Sequence, residues 1–343
     1  MKRKKSKSAE NENDLKIKKS ETRSGKSEDL EPDDVSEEIQ SKGRPYTISV
    51  ALPGSILENA QSPELRTYLA GQIARSLVIF NIDEVVVFNE TTKKDSKSGF
   101  KGSTKATDPN ILLARILQYL ECPQYLRKHF FPKHPDLNYA GLLNPLDSPH
   151  HMRVDDELPY REGVVLDRPV KNGEGSFVNI GLRKEVKVDK HLQPGIRVTV
   201  KIESSEKKHT TGKVVSPAEP RLKNGLYWGY NVRLAQSFGA VFTQCPFKDG
   251  YDVTIGTSER GSPVRKLRLS PFKHLLIVFG GLGGLEASLE SDESLMQSEA
   301  QLLFDHYINS CSNQGSRTIR TEEAILITLS GLQPRIQKCL KKT

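Results

Sequence analysis

Cysteine is scarce in this sequence, and the few cysteines lie far apart. The 343 residues contain four of them, Cys122, Cys245, Cys311 and Cys339, and no two form a C-x-x-C pair. This spacing argues against a disulfide framework and against a structural zinc site. It predicts a protein of a reducing compartment.

Long apolar segments are also absent. No run approaches the ~20 apolar residues that a helix needs to cross a bilayer, so we expect no transmembrane span. The first residues, MKRKKSKS, are charged and no apolar stretch follows them, so we expect no secretory signal. The pair His150-His151 has no evident third ligand, and we therefore expect no catalytic metal.

Positive charge exceeds negative charge. The chain has 51 Lys and Arg against 43 Asp and Glu, a formal net charge of +8 and a pI near 9.1. Residues 1–44 hold 12 basic and 11 acidic residues, so a net +7 belongs to the rest of the chain. A basic folded part favours a polyanionic partner such as nucleic acid.

Residues 1–44 have a composition of their own. They contain no aromatic residue and few aliphatic ones, so they cannot bury enough apolar surface to fold, and we predict a disordered tail. The basic clusters at 2–5 and 16–19 are typical of a nuclear import signal, which predicts a nuclear protein. Alternatively, they only keep the tail soluble.

An α/β pattern begins at Pro45. The segments at 47–53 and 83–88 read as strands, and the apolar spacing at 62–80 predicts a helix between them. This βαβ unit implies a parallel sheet. A polar loop over 91–106 and a second helix from Asp108 to Leu120 complete the first part, residues 45–150.

Residues 155–236 read as an inserted β-barrel. Short strands alternate with Gly, Pro and Asn turns and no helix intervenes. The stretches at 175–181 and 192–200 resemble the S1-like variety of OB-fold. Phe177, with the basic residues Arg183 and Lys184, would then offer a stacking face for single-stranded RNA. Alternatively, the barrel only packs against or pairs with another protein.

The α/β pattern resumes over residues 240–343. Strands are predicted at 251–256, 274–280 and 304–309, a loop at SERGSPV (258–264) and a helix at 322–332. The simplest account is one α/β domain, residues 45–150 and 240–343, interrupted by the barrel.

A glycine loop, Gly280 to Gly284, follows the predicted strand at 274–280. Ligands bind at the carboxyl ends of strands in open α/β sheets. A phosphate-binding loop would continue with Gly-Lys-Ser/Thr, but Leu285-Glu286-Ala287 follows here, and the spacing does not fit a dinucleotide fingerprint. Two interpretations remain: the loop wraps a nucleoside-like cofactor through its backbone, or it is only a tight turn.

A second loop, NQGSRTIRTEEA at 313–324, leads into the last helix. A late glycine loop, another strand and an Ile-Arg-Thr-Glu-x-Ala helix start resemble the α/β-knot (SPOUT) RNA methyltransferases. The order of motifs is most similar to the subfamily known as putative RNA methyltransferases, which carry an OB-like barrel inside the knot domain. The resemblance runs from about Tyr46 to Leu332. It implies a trefoil-knotted domain, S-adenosylmethionine as cofactor and a homodimer with its active site at the subunit boundary.

The resemblance also implies a set of cofactor residues. They are Thr257 and Ser258 at the end of one strand, Gly280, Gly281, Leu282 and Gly283 in the first loop, and Gln314, Ser316, Ile319, Arg320 and Thr321 in the second. Many knot enzymes have Gly-Pro-Glu-Gly-Gly at the first loop, whereas this chain has Gly-Gly-Leu-Gly-Gly-Leu-Glu. Glu286 would take the place of the missing glutamate. Alternatively, Thr321-Glu322-Glu323 only begins a helix.

The candidate catalytic residues are Arg75, Glu259, Arg260 and Glu286. An arginine can stabilise negative charge on a base carbonyl or hold a phosphate. A desolvated glutamate can accept the proton of a base nitrogen. Arg75 could instead be a surface residue or part of an ion pair.

The resemblance predicts an S-adenosylmethionine-dependent RNA methyltransferase acting on a ribosomal RNA base, with uridine N3 favoured. The alternative is a non-catalytic RNA-binding or spindle- and kinetochore-associated scaffold that keeps the fold, because the animal branch is linked to the mitotic spindle. A nucleotide-hydrolysing enzyme is disfavoured because the glycine loop lacks its lysine.

Overall fold

The structure is a computed structural model that describes residues 43–90, 107–171, 173–205, 210–292, 295 and 299–340. The predicted disordered tail, apart from its last two residues, and the predicted loop at 91–106 lie outside the described residues. Within the described residues, no helix has the length and apolarity needed to cross a membrane.

Six parallel strands form the central sheet. They are β1 (Thr47–Pro53), β2 (Glu84–Phe88), β8 (Asn231–Ala235), β9 (Val253–Pro263), β10 (His274–Val278) and β11 (His306–Asn309), in the order β11-β9-β10-β1-β2-β8. Every residue of β1 and β2 is buried, as expected for strands covered on both faces. The predicted parallel sheet is therefore confirmed.

Helices cover both faces of the sheet. They are α1 (Pro63–Ile79), α2 (Pro109–Glu121), α3 (Arg127–Phe130), α4 (Glu219–Asn224), α5 (Phe238–Thr243), α6 (Gly284–Glu290) and α7 (Thr321–Leu340). Short 3-10 helices lie at Gly54–Asn59, Gln124–Leu126, Pro135–Leu137, Ala140–Leu142, Val264–Lys266 and Ala300–Leu303. One core cluster joins α1, α2 and α7 to the sheet, and a second, around Phe88 and Phe238, lies beneath α5 and α6. This gives a three-layer α/β arrangement.

The sequence locates α1 well and α7 only in part. Ser62 caps α1 as predicted, because its hydroxyl accepts a hydrogen bond from the Leu65 N–H at 3.3 Å. The prediction ended α7 at Leu332, but the helix continues to Leu340 through Pro334. Ile336 and Cys339 extend its buried face. Their burial outweighs the hydrogen bond that an internal proline removes.

The predicted barrel is present and closed. Its strands are β3 (Tyr160–Val165), β4 (Phe177–Asn179), β5 (Val186–Val188), β6 (Arg197–Ser205) and β7 (Thr210–Val215), in the order β3-β4-β5-β7-β6. The pairing is antiparallel except between β5 and β7. Valine side chains, among them Val178, Val186 and Val200, fill the interior.

One predicted barrel strand belongs elsewhere. The prediction continued the barrel to residue 236, but β8 pairs in parallel with β2, from Glu84 opposite Asn231 to Phe88 opposite Ala235. That part of the prediction is wrong. A short strand with mixed burial looks the same in a barrel and at the edge of a sheet, because sequence alternation does not identify its pairing partner.

An ionic cluster joins the barrel to the α/β layer. Arg197 of β6 donates two hydrogen bonds to Glu121 at the end of α2, at 2.6 and 3.0 Å, and a third to Glu162 of β3 at 2.6 Å. Burial alone would raise the pKa of Glu121, but the Arg197 guanidinium and a hydrogen bond from His150 lower it to about 2. Glu121 is therefore ionised in the folded protein.

The two adjacent histidines lie in this cluster. The Nε2 atoms of His150 and His151 lie 2.9 and 2.7 Å from the carbonyl oxygen of Glu121. Burial and the neighbouring His150 lower the pKa of His151 to about 3. Both side chains thus fix the junction between α2 and the barrel.

Candidate cofactor and catalytic site

A cavity of about 360 Å³ opens at the carboxyl end of β10, beside residues 257–260 of β9. Most of the predicted site residues line it: Thr257, Ser258, Glu259, Arg260, Gly280, Gly281, Leu282, Gly283, Glu286, Gln314, Ile319, Arg320 and Thr321. Parallel strands place their carboxyl ends, and the loops that follow them, at one edge of the sheet. The fold thereby gathers three segments that are distant in sequence.

The first glycine loop turns back on itself too tightly for side chains. A Cβ on Gly280 would lie 2.4 Å from the backbone carbon of Gly284 and 2.5 Å from the Leu285 nitrogen. Gly284 has a φ of +75°, which favours glycine. The loop is thus a tight turn that also forms one wall of the cavity.

The second loop is joined to the first by a side chain. The Thr321 hydroxyl, at the start of α7, donates a hydrogen bond of 2.9 Å to the carbonyl oxygen of Gly280. Glu323 accepts a 3.0 Å bond from the Arg320 N–H, the pairing of a helix start. The predicted helix start is therefore also part of the cavity wall.

Gln314 and Ser316 differ in their positions. Gln314 lines the cavity and its amide donates to the Ser316 carbonyl oxygen at 3.0 Å. Ser316 does not line the cavity in this structure, although it was predicted to bind the cofactor.

Three side chains form a charged group on one side of the cavity. The Tyr307 hydroxyl donates to Glu286 Oε1 at 3.1 Å, and Arg260 Nη1 lies 3.6 Å from the same oxygen. Arg260 was expected on a loop, but β9 runs on to Pro263. The reason is that β11 pairs with this extension after a register shift, with Ile308 opposite Ser262.

Glu259 and Arg75 contribute less directly. The Glu259 side chain is exposed at the cavity, while its carbonyl oxygen accepts a 2.7 Å bond from the Asn309 amide. Arg75 does not line the cavity: its guanidinium donates to the carbonyl oxygens of Pro145 and Leu146. In this chain Arg75 holds the segment after α3.

Sequence reasoning missed Glu90. Its carboxylate accepts hydrogen bonds from the Ser55 and Ser288 hydroxyls, the latter at 2.9 Å. A Cβ on Gly281 would lie 2.3 Å from Glu90 Oε1, so the carboxylate supports the glycine loop from behind. A polar residue just after a predicted parallel strand was the available signal.

The predicted RNA-binding residues lie on the barrel, apart from the cavity lining. The Arg168 guanidinium covers the Phe177 ring at 4.1 Å from its centroid, and the Lys187 ammonium lies at 6.0 Å. Arg183 and Lys184 are exposed in the turn between β4 and β5. Phe177 is therefore half of an arginine–aromatic stack.

The fold and the site together define an α/β protein with a glycine-walled small-ligand cavity and an inserted β-barrel. Residues 47–332 match the model of a protein family described as "Putative RNA methyltransferase". Because the match covers most of the chain, the protein belongs to this RNA methyltransferase family.

Named relatives agree with this assignment. The human 28S rRNA (uridine-N(3))-methyltransferase is 61% identical over 310 residues, covering 89% of this chain and 82% of the relative. The Drosophila melanogaster protein of the same name is 53% identical over 315 residues, covering 88% and 65%. Among solved structures, the SpoU methyltransferase AviRb from Streptomyces viridochromogenes, in complex with the cofactor AdoMet, covers 87% of this chain and 61% of its own, at 10% identity and a TM-score of 0.33.

Proposed function

We propose that this protein transfers a methyl group from S-adenosylmethionine to N3 of a uridine in ribosomal RNA. The observation that carries the proposal is the cavity itself, in which two hydrogen-bonded loops and an acid–base group meet at the carboxyl end of β10. The substrate is inferred from the relatives, whose names specify uridine N3 of 28S rRNA.

The residues present suit this cofactor. A cavity of about 360 Å³ is within the usual range for small-ligand sites. Gly280 to Gly283 line the cavity and are partly or fully exposed, so their main chain is accessible, as a nucleoside held by main-chain groups requires. The loop residues Gly280 to Gly283 and Gln314 to Thr321 would hold the cofactor, and Ser316 would contribute through its backbone.

The reaction needs a proton acceptor and charge stabilisation. When bound, S-adenosylmethionine supplies an electrophilic methyl group on its sulfonium, and the sulfur departs as a neutral thioether. The N3–H proton of the uridine passes to Glu286, while the N3 electron pair forms the new bond to carbon. Arg260 stabilises the negative charge on the uracil oxygens as the proton leaves. Positioning by the loops supplies much of the remaining rate.

We further propose that the barrel binds the RNA and that it is OB-like. A five-stranded closed barrel whose one parallel pair joins its third and fifth strands supports the OB-like interpretation. Arg168 and Phe177 would stack on a base, and Arg183 and Lys184 would contact phosphates. Phe177→Ala should weaken RNA binding about tenfold, since one stacked base contributes roughly 1–3 kcal/mol, and should leave cofactor binding unchanged.

A knotted, dimeric enzyme completes the proposal. The hydrogen bond from Thr321 to Gly280 brings the C-terminal segment against the first loop, which supports a threaded chain. Single-molecule stretching of the unfolded chain from both ends tests the knot, because a knotted chain reaches a shorter contour length than an unknotted one. Leu65 and Tyr68 are 54% and 45% exposed in a second cavity of about 320 Å³ that shares Asn59 and Arg320 with the first. We infer that this face meets a second copy. Sedimentation of the wild-type protein and of Leu65→Glu should show a dimer and a monomer.

We also propose a nuclear location. The basic clusters at 2–5 and 16–19 are the basis for it. A fluorescently tagged full chain should concentrate in the nucleus, and alanine at the four positions 2–5 and at the lysines of 16–19 should abolish this. A variant that remains nuclear would refute the import role. Imaging through mitosis tests the association with the spindle and kinetochore at the same time.

Two measurements on the full chain test the enzyme proposal. Calorimetric titration with S-adenosylmethionine and with its demethylated product should show saturable binding near one per subunit. Labelled methyl transfer to ribosomal RNA from cells that lack this protein should then be detectable. Gly281→Trp should abolish both, because the side chain would enter the loop beside Glu90. RNA binding without cofactor binding, unchanged by Gly281→Trp, would favour the non-catalytic scaffold instead.

A further inference from the structure

The Tyr307 hydroxyl is held in one place beside the cavity. Tyr307 lies on β11, and its ring stacks on Phe304 with centroids 6.2 Å apart and an interplanar angle of 17°. Phe304 in turn lies against the backbone of Gly256, where a Cβ would come within 2.4 Å of the ring. This aromatic pair fixes the position from which the hydroxyl reaches Glu286.

The contacts of Glu286 are concentrated on one oxygen. Oε1 accepts the Tyr307 hydrogen bond at 3.1 Å and is 3.6 Å from Arg260 Nη1. In the part of the chain that the structure describes, no hydrogen bond reaches Oε2. One carboxylate oxygen is therefore anchored, and the other remains available to a ligand in the cavity.

We propose that Tyr307 is a positioning residue for the proton transfer: it anchors Glu286 Oε1, so that Oε2 accepts the N3–H proton of the uridine. This inference rests on the proposed function. In the balanced step the proton moves to Oε2, the N3 electron pair forms the bond to the methyl carbon, and the carbon–sulfur bond breaks. Tyr307 keeps its own proton throughout.

The surroundings suit this role. Burial raises the pKa of Tyr307, so the phenol remains a donor at neutral pH and above. The charged and polar groups that face the Tyr307 hydroxyl and the Glu286 carboxylate are Ser258, Glu259 and Arg260 on β9 and Arg320 on the second loop. Arg260 places a positive charge 3.6 Å from Oε1, while Tyr307 fixes which oxygen is presented.

Tyr307→Phe tests the inference, because it removes the hydroxyl and retains the ring stack. We expect the single-turnover methylation rate, at saturating cofactor and RNA, to fall about tenfold, the scale of roughly 1.4 kcal/mol in the barrier. The acidic limb of the pH–rate profile should move to higher pH, because a carboxylate that loses a hydrogen-bond donor holds its proton more tightly. Calorimetric affinity for the demethylated product should stay within about twofold, since the Tyr307 hydroxyl does not line the cavity.

Tyr251→Phe is the matched control. The Tyr251 hydroxyl also donates to a carboxylate, Glu84 Oε2 at 2.6 Å, but Glu84 does not line the cavity, whereas Glu286 does. This variant should lower the melting temperature and leave the rate and its pH profile unchanged. Glu286→Gln should remove the acidic limb altogether.

The outcomes separate the two proposals. A normal rate and profile in Tyr307→Phe, or equal losses in Tyr307→Phe and Tyr251→Phe, would overturn the positioning role and leave the methyltransferase proposal standing. A wild-type protein that binds the cofactor but transfers no methyl to ribosomal RNA would overturn both.

Discussion

The sharpest test of the cavity is the substitution Gly280→Ala. The added Cβ would lie 2.4 Å from the backbone carbon of Gly284, 2.5 Å from the Leu285 nitrogen and 2.8 Å from the Gly284 Cα. Carbon atoms in contact lie about 3.5–4 Å apart, so the loop must open by about an ångström. All the opposing atoms are main-chain atoms, which no side-chain rotation can relieve.

Moving Gly280 disturbs both cofactor loops. Gly280 also accepts the hydrogen bond from Thr321, so its displacement weakens the link between the first loop and the start of α7. Forcing a methyl group into a filled site costs roughly 1–3 kcal/mol. If most of that cost falls on the cofactor-binding form of the loop, the dissociation constant for S-adenosylmethionine should rise between about tenfold and a hundredfold.

Titration calorimetry measures this effect, and Gly331→Ala is the control. The same methyl group at Gly331, inside α7, would meet Val264 Cγ1 at an ordinary 3.6 Å. It should raise the stability by up to about 1 kcal/mol through helix propensity and leave cofactor affinity unchanged. A folded Gly280→Ala protein with wild-type affinity would refute the view that this close approach shapes the site.

Three other predictions concern ionisable side chains. Glu90→Ala removes the acceptor of two hydroxyl hydrogen bonds behind the glycine loop; it should lower the unfolding free energy by about 1–3 kcal/mol and weaken cofactor binding, and unchanged affinity in calorimetry would contradict the supporting role. Arg197→Met leaves Glu121 buried without its cation, and urea unfolding at pH 7 should show a loss of roughly 3–5 kcal/mol; a loss below 1 kcal/mol would contradict this. The free energy of unfolding should fall in acid, because folding lowers the pKa of His151 from 6.5 to about 3 and that of Glu121 from 4.5 to about 2. The stabilisation from these two groups is complete above pH 6.5 and is lost as the pH falls towards 3 for His151 and 2 for Glu121. Urea unfolding between pH 7.5 and 5 should show the first part of this decline, and a decline equally steep in His151→Gln would assign it to other groups.

Local patterns were enough to place most elements. The β-branched run of β2 and the apolar spacing of α1 each point to one structure, because burial on a sheet or on a helix face requires that periodicity. The glycine loop was locatable for a similar reason, since its position after a buried strand indicates the carboxyl edge of a parallel sheet. The resemblance to the knotted methyltransferases then identified the second loop.

These local patterns did not predict which strands pair with each other. The assignment of β8 to the barrel was wrong because its residues alternate without specifying which strand lies beside them. The extension of β9 past Tyr251–Gly256 was missed for the same reason: β11 pairs with Ser262 only after a register shift, and the resulting strand places Arg260 beside Glu286.

The sequence by itself determined the α/β class, the inserted barrel, the glycine loop and, through its resemblance, the methyltransferase family. Only the tertiary structure decided which side chains meet. Glu90 supports Gly281, Tyr307 anchors Glu286, and Arg197 pairs with Glu121, across separations of tens to hundreds of residues. The periodicity of apolar residues indicates which face of a segment is buried, because residues at helix or strand spacing share one face. The partner of a polar side chain depends instead on strand order and register, which are set only when the whole sheet is assembled.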